Sequence, residues 1–181
     1  MRVIGLALLA LMPVAGLAEV KQPYAGQDTR EIAGLSAEDI AQLLAGSGWG
    51  LALPAELNGY PGPAHVLEAV EALGLSETQR AETQAIWNAM NAEARRLGAR
   101  YVEVERHLSE GFAGGDMDDA RLKHMTERSG AILAELRQVH LSAHLRMKAL
   151  LSAEQVAAYD RLRGYGAREE GSGGHTGGHK H

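Results

Sequence analysis

The chain has 181 residues, with 18 Lys and Arg against 23 Asp and Glu, a formal charge of −5 and no cysteine. The missing cysteines exclude disulfides, thiolate metal ligands, a cysteine nucleophile and a lipid anchor on cysteine. The acidic balance implies no large basic surface and so argues against a nucleic-acid partner.

Residues 1–18 read as an export signal. Arg2 supplies a small positive region, Val3 to Leu17 is mostly apolar, and Gly16 and Ala18 place small residues where a signal peptidase cuts, after Ala18. The apolar run is short for a bilayer span and polar residues follow it, although a retained anchor is the alternative reading. Cleavage would leave 163 residues with a formal charge of −6, enough for one domain or for a helical unit that completes its core by dimerising.

Residues 19–62 form an N-terminal extension with a short helix. Ser36 caps that helix with Asp39 at its third position, Leu35 can staple to Ile40, and Gly46, Gly48 and Gly50 end it. Leu51 to Leu57 predicts a further short helical turn. The run Asn58-Gly59-Tyr60-Pro61-Gly62-Pro63 is a strong breaker, and Pro63 suits the first turn of a helix running to about Leu73. Ser76 and Gln79 then make a capping box for a long helix to about Leu108, with Ile86, Met90, Leu97, Tyr101, Val104 and Leu108 as its stripe. Gly111, Gly114 and Gly115 mark a hairpin turn, and Asp116 is expected to cap the return helix. That helix carries Ile132, Leu136, His140, Ala143 and Met147 toward Leu150. Ser152 and Gln155 repeat the capping box, and a last helix ends near Gly164. No strand signal competes, so the prediction is all-α: a long antiparallel hairpin with short flanking helices in a four-helix domain over residues 63–165. Helices beyond about 30 residues need a partner surface along their length, which predicts a homodimer. The tail, residues 166–181, is rich in Gly and His and is expected to be disordered.

Chemistry is sought first at His140 and His144, four apart on one helical face. A turn centred near residue 113 would place His144 opposite Glu82 and His140 opposite Ile86, and would bring Gly98 near Gly130. The turn at Gly74 to Ser76 would place His65 near Ala85. Two folds of the chain thus converge His65, Glu82, His140 and His144 at one level, with Met147 a turn below as a soft ligand. Such a set suits a divalent transition metal: zinc, nickel, cobalt or copper. His175, His179 and His181 in the tail are a second metal candidate. The alternative for each histidine is a core or surface role, and His107 and His124 read as surface residues. No phosphate loop, dinucleotide fingerprint or serine elbow is present, and His140 is followed by Leu141 where a zinc protease needs a glutamate, so no enzyme is expected.

The boxes Leu75-Ser76-Glu77-Thr78-Gln79 and Leu151-Ser152-Ala153-Glu154-Gln155 resemble the LTxxQ boxes of the Spy/CpxP group of periplasmic stress proteins and of the related heavy-metal sensors and zinc-resistance-associated proteins. Both boxes use serine where that group has threonine, and the likeness covers roughly residues 63–164. The resemblance implies a periplasmic protein folded as a curved helical dimer. It implies either metal binding at His65, Glu82, His140 and His144, with Met147 in reserve, or ATP-independent holding of unfolded envelope proteins. Expected partners are a second copy, a membrane-bound sensor or those unfolded clients. The metal-sensing or resistance role is the leading expectation and the chaperone or stress-signalling role the alternative.

Overall fold

A computed structural model describes residues 22–165. Among them lie six helices and no strand: α1 (Ala37–Ala45), α2 (Leu53–Glu56), α3 (Pro63–Glu68), α4 (Glu77–Gly114), α5 (Asp119–Leu150) and α6 (Ala153–Arg163). The all-α expectation therefore holds, with six helices among the described residues. No helix of the described residues is long and apolar enough to cross a membrane. The export signal and the tail lie outside the described residues.

Three helices begin where a serine caps them. Ser36, Ser76 and Ser152 each accept from the backbone N–H three residues on, and Asp39, Gln79 and Gln155 return the bond. The last two boxes also meet each other. The Gln79 amide donates to Gln155 Oε1 at 2.8 Å and to the Leu150 carbonyl at 3.2 Å. Gln155 donates back to Gln79 Oε1 at 3.1 Å and to the Leu73 carbonyl at 3.3 Å. A local helix-start signal thus doubles as a long-range clasp, tying the start of α4 to the α5–α6 corner.

The long helices α4 and α5 pack antiparallel, and α1, α2 and α3 lie against them. Two apolar cores result. One joins Ile32, Leu35 and Leu43 to Leu97 and Val104 of α4 and to Leu136 of α5. The other joins Val66 and Leu73 to Ile86, Met147, Val156 and Tyr159. Alternation of the apolar stripes at helical spacing places these residues inward.

Two boundaries differ from expectation. The third helix ends at Glu68, where Ala69 (φ −113°, ψ 21°) bonds back only three residues to Val66, and turns continue to Gly74. More consequentially, α4 runs on through Gly111 to Gly114. Gly115 is the left-handed cap (φ 71°), and Asp118, not Asp116, caps α5 by accepting from Arg121 N–H at 2.7 Å. Gly111 stays helical because Met117 and Arg121 close over the space where its β-carbon would be. The turn therefore lies about four residues later than expected, and the pairings along the hairpin shift by about eight residues. Arg100 faces Glu135, and the Ser129 hydroxyl donates to Glu105 at 2.6 Å.

The glycines expected to face each other are not partners. Gly98 is buried under α1, where a β-carbon would collide with the Leu43 carbonyl group, whereas a β-carbon at Gly130 would meet nothing within 4 Å. Gly98→Ala is therefore expected to destabilise the fold by about 2 kcal/mol through overpacking. Gly130→Ala is expected to stabilise it by about 1 kcal/mol through helix propensity alone. Urea unfolding of both variants checks the opposite signs.

Candidate functional site

One histidine of α5 does meet a carboxylate, but it is Glu56 of α2: His144 Nδ1 lies 3.7 Å from Glu56 Oε2. Pro54 starts that short helix, and the Asn58-Gly59 turn (Gly59 φ 74°) leads into Tyr60 and Gly62, which lie beside His144 of α5. Glu56 is 6% exposed. Its Oε1 accepts from the Tyr159 hydroxyl at 2.5 Å and the Tyr165 hydroxyl at 3.2 Å. Arg163 Nε lies 3.7 Å away and His65 Nδ1 3.4 Å away. Burial, then the bond to Glu56, hold the Tyr159 hydroxyl well above its ordinary pKa, so it stays a donor.

Each histidine has a defined place. His65 Nε2 lies 3.5 Å from the Arg163 guanidinium, which can only donate, so Nε2 accepts and Nδ1 carries the proton toward Tyr159 and Glu56. His144 Nδ1 is 2.7 Å from the Tyr60 carbonyl oxygen, so Nδ1 donates and, in the neutral ring, Nε2 is left as an acceptor. His140 is 2% exposed and its Nε2 has no hydrogen-bond partner. Glu56 Oε2 also has none. Both histidines, Glu56, Gly62 and His65 line a cavity of about 220 Å³ walled by Ala52, Leu53, Pro63 and Met90.

These positions correct the metal reading. Among the described residues no group of three or more His, Asp or Glu side chains is arranged to hold a metal ion. The zinc, nickel, cobalt or copper site expected between helices is therefore withdrawn, and with it the metal-sensing role. The physical reason is partly register and partly competition. Glu82 is exposed and borders a separate groove with Arg146 and Leu150. By the register of the hairpin it faces the end of α5 at Leu150 or beyond, at least six residues from His144, which at 1.5 Å per residue is about 9 Å or more. Met147 is wholly buried in the apolar core. His65 has both nitrogens engaged by protein groups, as above. His175, His179 and His181 lie outside the described residues.

Sequence reasoning missed Glu56, Gly62, Tyr159, Arg163 and Tyr165. A signal for Glu56 was present: it is the one charge in Leu51-Ala52-Leu53-Pro54-Ala55-Glu56-Leu57. Tyr159 and Arg163 sit four apart on one face of α6. Trp49, at a positive φ of 44°, donates to Asp39 at 2.8 Å and packs on Tyr101 with ring centroids 5.9 Å apart. It is a core and loop anchor. The Ser36 and Trp49 bonds hold the Asp39 carboxyl below its ordinary pKa.

A second feature lies on the other side of the hairpin. A groove of about 370 Å³ is lined by α4 and α5 alone, with Ile86, Met90, Leu97 and Val139 on its floor and Glu93, Glu135 and Arg146 among its polar walls. Met90 borders both the groove and the Glu56 cavity.

Comparison with protein-family models, with curated proteins and with solved structures finds no match.

Burial, with His144 as a neighbour, pushes the His140 pKa from 6.5 down to about 4. The unfolded chain thus takes up a proton near pH 6.5 that the folded chain does not accept until about pH 4. Stability falls as pH drops through that window, by up to about 3 kcal/mol from this residue. His140→Leu is expected to remove this part of the acid slope in urea unfolding between pH 7 and pH 4.5. An unchanged slope would place the acid sensitivity elsewhere.

Proposed function

We propose that the protein is an ATP-independent holdase of the cell envelope, of the Spy/CpxP type, which keeps unfolding periplasmic proteins from aggregating. The observation that carries this reading is the apolar groove lined only by α4 and α5. An apolar floor open to solvent on a helical protein is a site for another chain's apolar side chains. Met90 gives that floor an unbranched, adaptable side chain, which suits clients of no fixed sequence. Glu93 and Glu135 on one stretch and Arg146 on another leave polar partners for a client's backbone and charges. The groove is shallow and open, as a weak, reversible hold requires.

The resemblance of the two capping boxes supports the same reading, and the meeting of Gln79 with Gln155 gives both boxes a shared structural purpose. Residence in the periplasm and assembly as a homodimer are parts of this proposal. They rest on the export-signal pattern and on the length of α4, which has 38 residues.

The test is suppression of light scattering from a reduced, unfolding client, without ATP. The protein lacking residues 1–18 is expected to suppress it, and Val139→Asp, which puts a charge on the groove floor, is expected to remove about half of that activity or more. Val139 is only partly buried, so circular dichroism of the variant should match that of the parent. Full activity in Val139→Asp, or no suppression by the parent at about fivefold molar excess, would overturn the proposal.

A further inference from the structure

The Glu56 cavity has no part in the proposed client binding, yet it keeps two buried polar atoms without partners. Glu56 Oε2 and His140 Nε2 are both shielded from solvent and unbonded. A buried polar atom left unpaired costs about 1–3 kcal/mol, more when charged, so a fold that retains two such atoms beside one cavity is built for a third party. Gly62 supports this. Its φ of −82° suits any residue, so backbone freedom does not require a glycine there. What the glycine provides is space. A β-carbon at Gly62 would stand 3.2 Å from Glu56 Oε2, 3.1 Å from His144 Cε1 and 3.4 Å from His144 Nε2.

From these observations we propose that the cavity binds a small primary alkylammonium ion. An ammonium carries three N–H donors and no acceptor. The cavity offers acceptors to match: Glu56 Oε2, His144 Nε2 in the tautomer that Tyr60 selects, and His140 Nε2 when its ring carries the proton on Nδ1. Arg163 and the two tyrosines approach the opposite carboxylate oxygen, Oε1, and the one group near Oε2, His144 Nδ1 at 3.7 Å, is engaged by the Tyr60 carbonyl. The walls contributed by Ala52, Leu53, Pro63 and Met90 are apolar, and they match an alkyl stem better than water. Leu53 is 53% exposed and, with Gly48 and Gly50, stands where a ligand would enter. A bond from an ammonium to a carboxylate is charge-assisted and about twice as strong as a neutral one, so charge and donors should both matter.

The experiment is an NMR titration of the 15N-labelled protein at pH 7.5 with n-butylammonium chloride. A saturable response with a Kd in about the millimolar range is expected, with shifts centred on Gly62, Ala64 and the rings of His140 and His144. Tetramethylammonium has the charge without an N–H, and n-butanol has the stem without the charge. Each is expected to bind about tenfold more weakly or worse. Gly62→Ala is expected to weaken butylammonium about tenfold by filling the space, with helix content unchanged. Glu56→Gln is expected to weaken it at least as much. The comparison of the three probes on the unaltered protein stands even if a variant fails to fold. No saturable shift at those residues, or an equal response to tetramethylammonium, would overturn the proposal. So would full affinity in a folded Gly62→Ala protein.

Discussion

The part of the molecule around α2, α3 and α6 is organised by one buried carboxylate. Taking Glu56 out of water is costly unless it is paired and hydrogen-bonded. Its partners come from places far apart in the sequence: His65 on α3, Tyr159 and Arg163 on α6, and Tyr165 just beyond it. Each reaches Glu56 only if its helix is docked. The four-residue α2 has too few bonds of its own to persist alone. It is held by this network and by Pro54, and it in turn fixes where the chain lies beside α5. The same placement puts the Tyr60 carbonyl on His144 and so selects that ring's tautomer. A polar centre of this kind specifies one arrangement of the small helices where apolar packing alone would tolerate several.

The sequence made the local structure legible wherever a short-range signal decided it. The three serine caps, the stripes of α4 and α5 and the glycine end of α6 follow from spacing alone. Register was not legible, for a reason that can be traced to Gly111. A helix-interior glycine costs about 1 kcal/mol, so a run of glycines reads as a turn. Here Met117 and Arg121 fold over Gly111 and outweigh that cost. Six residues of extra helix, from Ser109 to Gly114, then displaced the cross-hairpin pairings by about two turns. Glu82 was thereby moved away from His144, while the pairing of His140 and His144, set within one helix, survived. The carboxylate that meets His144 lay in a segment whose partners are about a hundred residues downstream, beyond the reach of any local pattern.

The hairpin has two faces with different fates. One is covered by α1 to α3 and holds the apolar cores and the Glu56 cavity. The other, over the stretch from Ile86 to Leu97, is lined by α4 and α5 alone. Both faces draw on the same stripes, which is why hydrophobic spacing could not separate a core from a client groove. Met90 illustrates the point, since its side chain borders the groove on one side and the cavity on the other. A ligand that shifted Met90 from within would alter the groove floor. The two sites are therefore adjacent through one flexible side chain, without any need for a longer path between them.

Two glycines show how the same residue type can carry opposite information. At Gly98 the missing β-carbon is used up, because the Leu43 carbonyl occupies that space and draws α1 onto α4. At Gly62 the nearest atoms stay beyond 3 Å, and those atoms are a carboxylate oxygen and an imidazole ring, two of the more polar groups in the interior. Packing explains the first glycine fully. At the second a methyl group would crowd the His144 ring and also cover Glu56 Oε2 with carbon, leaving it no possible partner. A gap kept open beside a carboxylate oxygen suits a donor, and neither Glu56 Oε2 nor His140 Nε2 has a hydrogen-bond partner in the chain.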